Sequence, residues 1–550
     1  MLPPMRLWFL RLTLFALAAL PANALTKKVL IIGIDGTMPS ALAVAQTPNL
    51  NALIANGCFS NRVVSHPVTH SAASWSSLFT GVWGDKHGVN DPGNSFAGNQ
   101  FAIYPSFFKH LEDANPALNT VCLARWSPLL TVVPDADVKL SFSTDAAITT
   151  ETVNRLTTTN PDVFYMILLD VDSAGHTYGW GPTVPQYVNA IEVADGRVGQ
   201  IINALHSRAT YAQEDWLVFV ATDHGEHDNP DPERSRIVFS IVSGPSAARG
   251  IMWPSPSIVD VCATVLTHMG VPIDPLWKLD ARVEGFPLPP VPYGANLIYN
   301  GDAEANSGAN NYTPNRGIAW WFDLNSVTLG IYGSNAAFPS AASPGPAKRG
   351  NNFFLGGTAS ASISQRINLA DIALDIDSPG VNYTLSGWFG GAGSDADSAM
   401  LTVSFLDAQG AVLGTDSAGA VTAAERGNVT GLLQRSESGV LPVGTRFVEF
   451  VLTCSSATGS NDASADNLSF VLVPNPDPGF KILGYGPVMS GWQIEVSSLS
   501  YRSYSLERSD DLQTWQEVVA PIPGTGGPLM LTDPDPPATR AFYRVAYRRL

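Results

Sequence analysis

Six residues of two chemical kinds recur at the ends of apolar runs in the first half of the chain. Asp35 closes IIGIDG, and Asp172 and His176 follow one another in LLDVDSAGHTYG. Asp223 and His224 end VFVATDHGE, with His227 three residues further on. Taken singly, an Asp at a strand end is a turn former or a helix cap, and one Asp-His pair is ordinary structure. Convergence changes that reading. The strand ends of a parallel sheet meet in one crevice, where three carboxylates and three imidazoles hold several negative charges with little compensation. A pair of divalent cations relieves the repulsion, and mixed carboxylate and imidazole ligands suit zinc, with manganese as the alternative. Such ions make a hydroxyl or a water nucleophilic near neutral pH. The stretch HPVTHSAASWSSLFTG supplies hydroxyls at the start of a helix running towards Phe79, and a helix N-terminus favours an alkoxide or an incoming phosphate.

The elements that must position these residues read as α/β. KKVLIIGIDG, NTVCLARW, DVFYMILLDVD, DWLVFVATDHG and RIVFSIVSG are short, continuous apolar runs ending in Gly, Asp or loop residues. Such runs fit strands covered on both faces of a largely parallel sheet sandwiched by helices. Between them, Val188, Ile191, Val198, Ile202 and Leu205 share one face of a helix over 187–206, with Pro185 marking its start. A second helix over 48–56 has Gly57 as its stop.

At 550 residues the chain exceeds one compact core. PLPPVPYG at 287–294 is a stiff linker, after which Ser, Gly, Ala and Asn dominate and strands alternate in NYTLSGWF, AMLTVSFLDAQG and TRFVEFVLTCS. PNPDPG makes a second linker before a last β unit with WQIEVSSL, YSLERSD and AFYRVAYR. The expected order is a signal peptide over 1–24, an α/β domain over 25–290, a β-sandwich over 291–473 and a small β-sandwich module over 474–550. Arg6 and Arg11 before an apolar run that ends Ala22-Asn23-Ala24 read as a secretory signal with cleavage after Ala24. The expectation is therefore a secreted or periplasmic protein, with no membrane span in the mature chain. A formal charge of −17 repels nucleic acid and anionic membranes, which excludes a duplex as partner. Cys58, Cys122, Cys262 and Cys454 show no metal spacing, and leave buried thiols or one bridge open.

The ordered motifs make the resemblance specific. GIDG, TPNLNALIANG, LFTGVWGDKHGV, DVDSAGH, TDHG and SIVDVCATVLTHMGVPID follow one another as in the alkaline phosphatase superfamily. Within it, residues 27 to 285 resemble the nucleotide pyrophosphatase/phosphodiesterase-like branch. The resemblance implies one metal on Asp172, His176 and His227, and a second on Asp35, Ser71, Asp223 and His224. Relatives place the last His of the first set further on, in a separate HG motif, so the connection here is shortened. Family spacing puts the nucleophile ten residues before Gly81, at Ser71, with Thr69 as the alternative. The implied chemistry is attack by Ser71 on phosphorus, a phosphoseryl enzyme and its hydrolysis by water, assisted by both metals. Asn94 or Asn90 takes the place of the amide that holds a phosphoryl oxygen in relatives.

Sulfatases share this superfamily but need a C/S-x-P-S-R context, whereas Ser71 precedes Ala72-Ala73-Ser74-Trp75. Monoesterases place Arg after the nucleophile to grip a dianion; Ala72 stands there, although Arg125 in LARW bears on the same question. The sequence thus favours a phosphodiesterase or nucleotide pyrophosphatase acting on a small-molecule phosphate ester, with a phosphomonoesterase or sulfatase-like hydrolase as the alternative.

The β-sandwich, with NLIYNGDAE and a closing DNLSFVL, resembles galactose-binding-like jelly rolls. That resemblance implies a structural calcium on Asp302, Glu304 and Asp466, with plain turn chemistry as the other reading. Trp320 and Trp321 serve either core packing or contact with carbohydrate, and Trp515 of the last unit is expected in a core. The rival to an enzyme is a catalytically degenerate first domain on a glycan-binding sandwich.

Overall fold

Alternate residues of the first apolar run face opposite ways, and both faces are covered. The structure, a computed structural model, describes residues 25–549 apart from 253–255, 288–289, 314–316, 324–326, 379, 458 and 477–478. The expected signal peptide lies outside the described residues, as do parts of both expected linkers.

In strand β1 (Thr26–Ile34), Val29 and Ile31 enter one core while Leu30, Ile32 and Ile34 enter another. A strand with no solvent face belongs to the interior of a helix-covered sheet. The other strands are β2 (Gly57–Val64), β3 (Thr120–Ala124), β4 (Val138–Ser141), β5 (Val163–Leu168), β6 (Glu214–Ala221), β7 (Ile237–Ser243) and β8 (Gly250–Ile251). Their order across the eight-stranded sheet is β4-β3-β5-β1-β6-β7-β2-β8. Strands β4, β3, β5, β1 and β6 run parallel, and β1 pairs with both β5 and β6. The run RIVFSIVSG is a strand but an antiparallel one: β7 opposes both β6 and β2. A continuous apolar run reports burial on two faces and carries no direction, so this reversal is invisible to the pattern. The expected helix over 187–206 spans Pro185–His206, and Pro48–Ala55 is helical as expected.

Beyond the first sheet, two antiparallel sheets of five and four strands enclose a separate core that includes Leu385, Phe389, Phe450 and Phe470. Two three-stranded antiparallel sheets follow over a small core around Tyr504 and Leu506. Trp321 is buried in the larger sandwich, whereas Trp320 is only half-buried. Trp515 departs from expectation: it is half-buried, with the Arg544 guanidinium 4.3 Å above its ring, so it packs under a cation at the surface. All four cysteines are free and buried. Among the described residues no helix is long and apolar enough to cross a membrane.

Candidate active site

The end of β1 and the end of β6 deliver the first group. Asp35 and Asp223 are 2% and 0% exposed, and each spends one carboxylate oxygen on the protein. Trp75 Nε1 donates to Asp35 Oδ2 at 3.0 Å, and the Gly36 N–H donates to Asp223 Oδ1 at 3.1 Å. The other oxygens, Asp35 Oδ1 and Asp223 Oδ2, are buried without a hydrogen-bond partner. His224 completes the arrangement. Its Nδ1 lies 3.0 Å from the Gly225 carbonyl oxygen, which makes Nδ1 the donor and leaves the Nε2 lone pair free. That Nε2 lies 3.5 Å from Asp35 Oδ1, 3.4 Å from Asp223 Oδ2 and 3.4 Å from Ser71 Oγ.

Burial and mutual repulsion perturb these acids. Desolvation, then the charges of Asp223 and Asp172, hold Asp35 well above the usual carboxylate range. Burial pushes Asp223 up to about 7, against the Gly36 N–H that favours its ionised form. A cation between these orphaned oxygens removes the penalty. The donor set therefore fits a divalent metal, since each ligand is turned towards the centre by a bond on its far side.

Asp172 and His176 sit four residues apart on the helix Asp170–Tyr178, which starts two residues after β5 ends, with His176 Nε2 3.5 Å from Asp172 Oδ1. Asp172 Oδ1 is also buried without a hydrogen-bond partner. Gly36 permits the approach of this helix: its φ is +64°, and a Cβ there would meet the Asp172 Cβ at 2.9 Å. The His227 ring lies 5.1 Å from that of His176 and 5.6 Å from that of His224. Burial, followed by the neighbouring His224 and His70, lowers His227 to about 4, so it is a neutral imidazole at neutral pH.

Ser71 opens the helix Ser71–Thr80, which Gly81 closes in the left-handed conformation. Trp75, the residue that holds Asp35, is one turn further along the same helix. Thr69 is buried in the loop that leads in. Asn94 Oδ1 accepts from the Ala72 N–H at 2.8 Å, so this side chain stands beside the start of the Ser71 helix. Asn90 does not join it; its amide donates to the Gly84 carbonyl. Arg125 is held by Asp145 and Asp170.

Two residues at this centre escape a reading of the sequence. His70 Nε2 lies 2.6 Å from Asp228 Oδ1, and the His70 ring is 4.2 Å from that of His227. His70, His227 and Asp228 form one group of potential metal ligands, and Asp35, Asp223 and His224 form another. Position 70 is 158 residues from position 228, so only the fold brings them together.

A mixed sheet between helices fits an alkaline phosphatase-like domain, and the Asp and His clusters at its strand ends could bind metals. Residues 29–107 and 105–242 match the family model described as type I phosphodiesterase / nucleotide pyrophosphatase, so this part of the chain is similar to that branch of the alkaline phosphatase superfamily, whose members are hydrolases. Among solved structures, murine ectonucleotide pyrophosphatase / phosphodiesterase 5 is similar at 13% identity, over 44% of this chain and 95% of that one, with a TM-score of 0.34. A putative sulfatase from Bacteroides thetaiotaomicron is similar at 11% identity, over 46% and 73%, with a TM-score of 0.37. The lipoteichoic acid synthase of Listeria monocytogenes is similar at 13% identity, over 45% and 72%, with a TM-score of 0.35. No curated protein sequence matches the chain.

Proposed function

We propose that this chain is an exported, two-metal phosphodiesterase or nucleotide pyrophosphatase with Ser71 as its nucleophile. The observation that carries the reading is the convergence on His224 Nε2. Two orphaned carboxylate oxygens and the Ser71 hydroxyl lie within 3.5 Å of it. Asp35, Ser71, Asp223 and His224 would hold one divalent ion, and Asp172, His176 and His227 would hold the other. Zinc suits these ligands best and manganese next. Bound there, such ions lower the pKa of a hydroxyl and of water, and neutralise charge that builds on phosphoryl oxygens.

The chain's own groups then have defined tasks. Ser71 Oγ loses its proton to solvent and attacks phosphorus; the ester bond to the leaving oxygen breaks, that oxygen takes up a proton from solvent, and a phosphoseryl enzyme remains. Water attacks that phosphorus in turn, restoring the serine hydroxyl and releasing phosphate or its monoester. Asn94, beside the first turn of the nucleophile helix, supplies an amide to a phosphoryl oxygen. With Ala72 after the nucleophile and Arg125 held by two carboxylates, neither position offers a free arginine fork for a dianion. A phosphorus carrying one negative charge, as in a diester or pyrophosphate, suits it better. The C-terminal sandwich is read as a jelly-roll, galactose-binding-like module with attachment, through carbohydrate contact, as its task; of the acids expected to hold calcium, Glu304 accepts from the Asn351 and Asn352 N–H groups and Asp466 from the Tyr332 hydroxyl, which favours the reading of plain turn chemistry there.

The test is hydrolysis of a bis-aryl phosphate diester by the purified chain. The expected result is turnover that vanishes on exhaustive chelation, returns with zinc or manganese, and is absent in Asp223→Ala. Turnover that survives complete metal removal contradicts the reading.

A further inference from the structure

Asp228 touches two imidazoles at once. Its Oδ1 lies 2.6 Å from His70 Nε2 and its Oδ2 lies 3.1 Å from His227 Nδ1. Each of those ring nitrogens carries a proton if it donates to the carboxylate, so each ring keeps its lone pair on the other nitrogen. For His70 that other nitrogen, Nδ1, is buried with no hydrogen-bond partner, and the residue is 4% exposed. A histidine serving only as an ion-pair partner for Asp228 gains nothing from a buried, unpaired Nδ1, which costs about 1–3 kcal/mol. A carboxylate behind an imidazole whose far nitrogen is free is the arrangement that orients histidines towards a metal.

Resting on the two-metal reading above, we propose that His70 is an additional metal ligand through Nδ1. Asp228 is the positioning residue that fixes the tautomers of both His70 and His227. The His227 ring is flanked by His70 at 4.2 Å and His176 at 5.1 Å, and His70, His227 and Asp228 form one group of potential metal ligands. His70 also immediately precedes Ser71, as the N-cap of the nucleophile helix. Coordination by His70 therefore ties the position of the nucleophile to the ion that His227 holds, a coupling that a ligand on a separate loop lacks. Asp228 sits at φ +55°, a backbone conformation a short polar residue tolerates at modest cost, and one that sets it between the two rings.

The test measures metal rather than turnover. The full-length protein is loaded with zinc, dialysed against a chelator-buffered zinc series, and its metal content is counted by mass spectrometry. The same titration is run on His70→Gln, Asp228→Asn and, as the fold-neutral comparison, Glu233→Gln, an exposed residue of the short helix Pro232–Ser235. Asp228 has a side chain 66% exposed, so its replacement leaves the core intact even if position 70 does not tolerate change. One of the two bound zinc ions should weaken by roughly 10–100-fold in Asp228→Asn and by at least as much in His70→Gln. Glu233→Gln should match the parent. Cobalt-loaded protein should show a changed visible absorption band for one ion only. Two zinc ions held at parental affinity in both site variants overturn the proposal even if activity falls. A parent protein that binds no divalent metal overturns the two-metal reading itself.

Discussion

The crevice of the first sheet and the acidic cluster of the sandwich hold similar residues to opposite effect. Asp395, Asp397 and Asp462 crowd together as closely as Asp35, Asp223 and His224 do. In the sandwich cluster each of the three carboxylates accepts from the protein. Asp397 accepts from the Ala457 and Asp462 N–H groups, both at 2.6 Å, Asp395 accepts from the Asp397 N–H, and Asp462 accepts from the Tyr312 hydroxyl. In the crevice, Asp35, Asp172 and Asp223 each keep one buried oxygen without a hydrogen bond. Crowded acid is thus no sign of a site by itself. The distinguishing feature is several buried, unbonded oxygens gathered beside an imidazole, because that state is costly unless something else completes it; single ones also occur elsewhere, as at Asp215.

The largest expected effects break the crevice. Chelation of the purified protein, or Asp223→Ala, should lower diester turnover by more than about 10³-fold, measured as released aryl alcohol. Ser71→Ala should fall as far and should abolish trapping of phosphate on the chain, whereas Thr69→Val should stay within about 10-fold of the parent; reversal of that order makes Thr69 the nucleophile. Asn94→Ala should cost roughly 10²-fold in kcat if its amide holds a phosphoryl oxygen.

Two smaller effects concern stability. In metal-free protein burial pushes the Asp223 carboxyl up to about 7. A raised folded value means that its contribution to stability is complete below about 4 and is lost as the pH rises through about 7. The Tm of stripped protein should therefore fall across that interval relative to the zinc-loaded form, as read by calorimetry. The sandwich provides the contrast: Asp397→Asn should cost about 1–3 kcal/mol in stability by spoiling one of its two accepted bonds, with metal content and turnover unchanged. Loss of bound zinc in Asp397→Asn would erase the distinction between the two regions.

Much of this was legible in the chain because burial on two faces leaves a plain mark. VLIIGI and WLVFVA fit interior strands of a parallel sheet, which places Asp35 and Asp223 at the same edge. Asp172 and His176 were legible as a pair because both follow one apolar run and stand together in DVDSAGH, a motif of the resemblance. His70 and Asp228 were not, since nothing local to either position announces a partner 158 residues away. The antiparallel direction of β7 was hidden for the reason that side-chain burial is the same in both directions. Trp515 misled because aromatic character signals contact area, and a guanidinium stacked over the ring satisfies it as a core does. The role of Trp75 was also hidden: only the packed structure shows its indole N–H on Asp35.

Anomalous diffraction at the zinc edge, from crystals of the zinc-loaded protein, tests the central claim most directly. Two peaks are expected in the crevice, one in contact with Asp35, Asp223 and His224 and the other in contact with His227. A crevice without a peak, or with zinc only at surface histidines, contradicts the account.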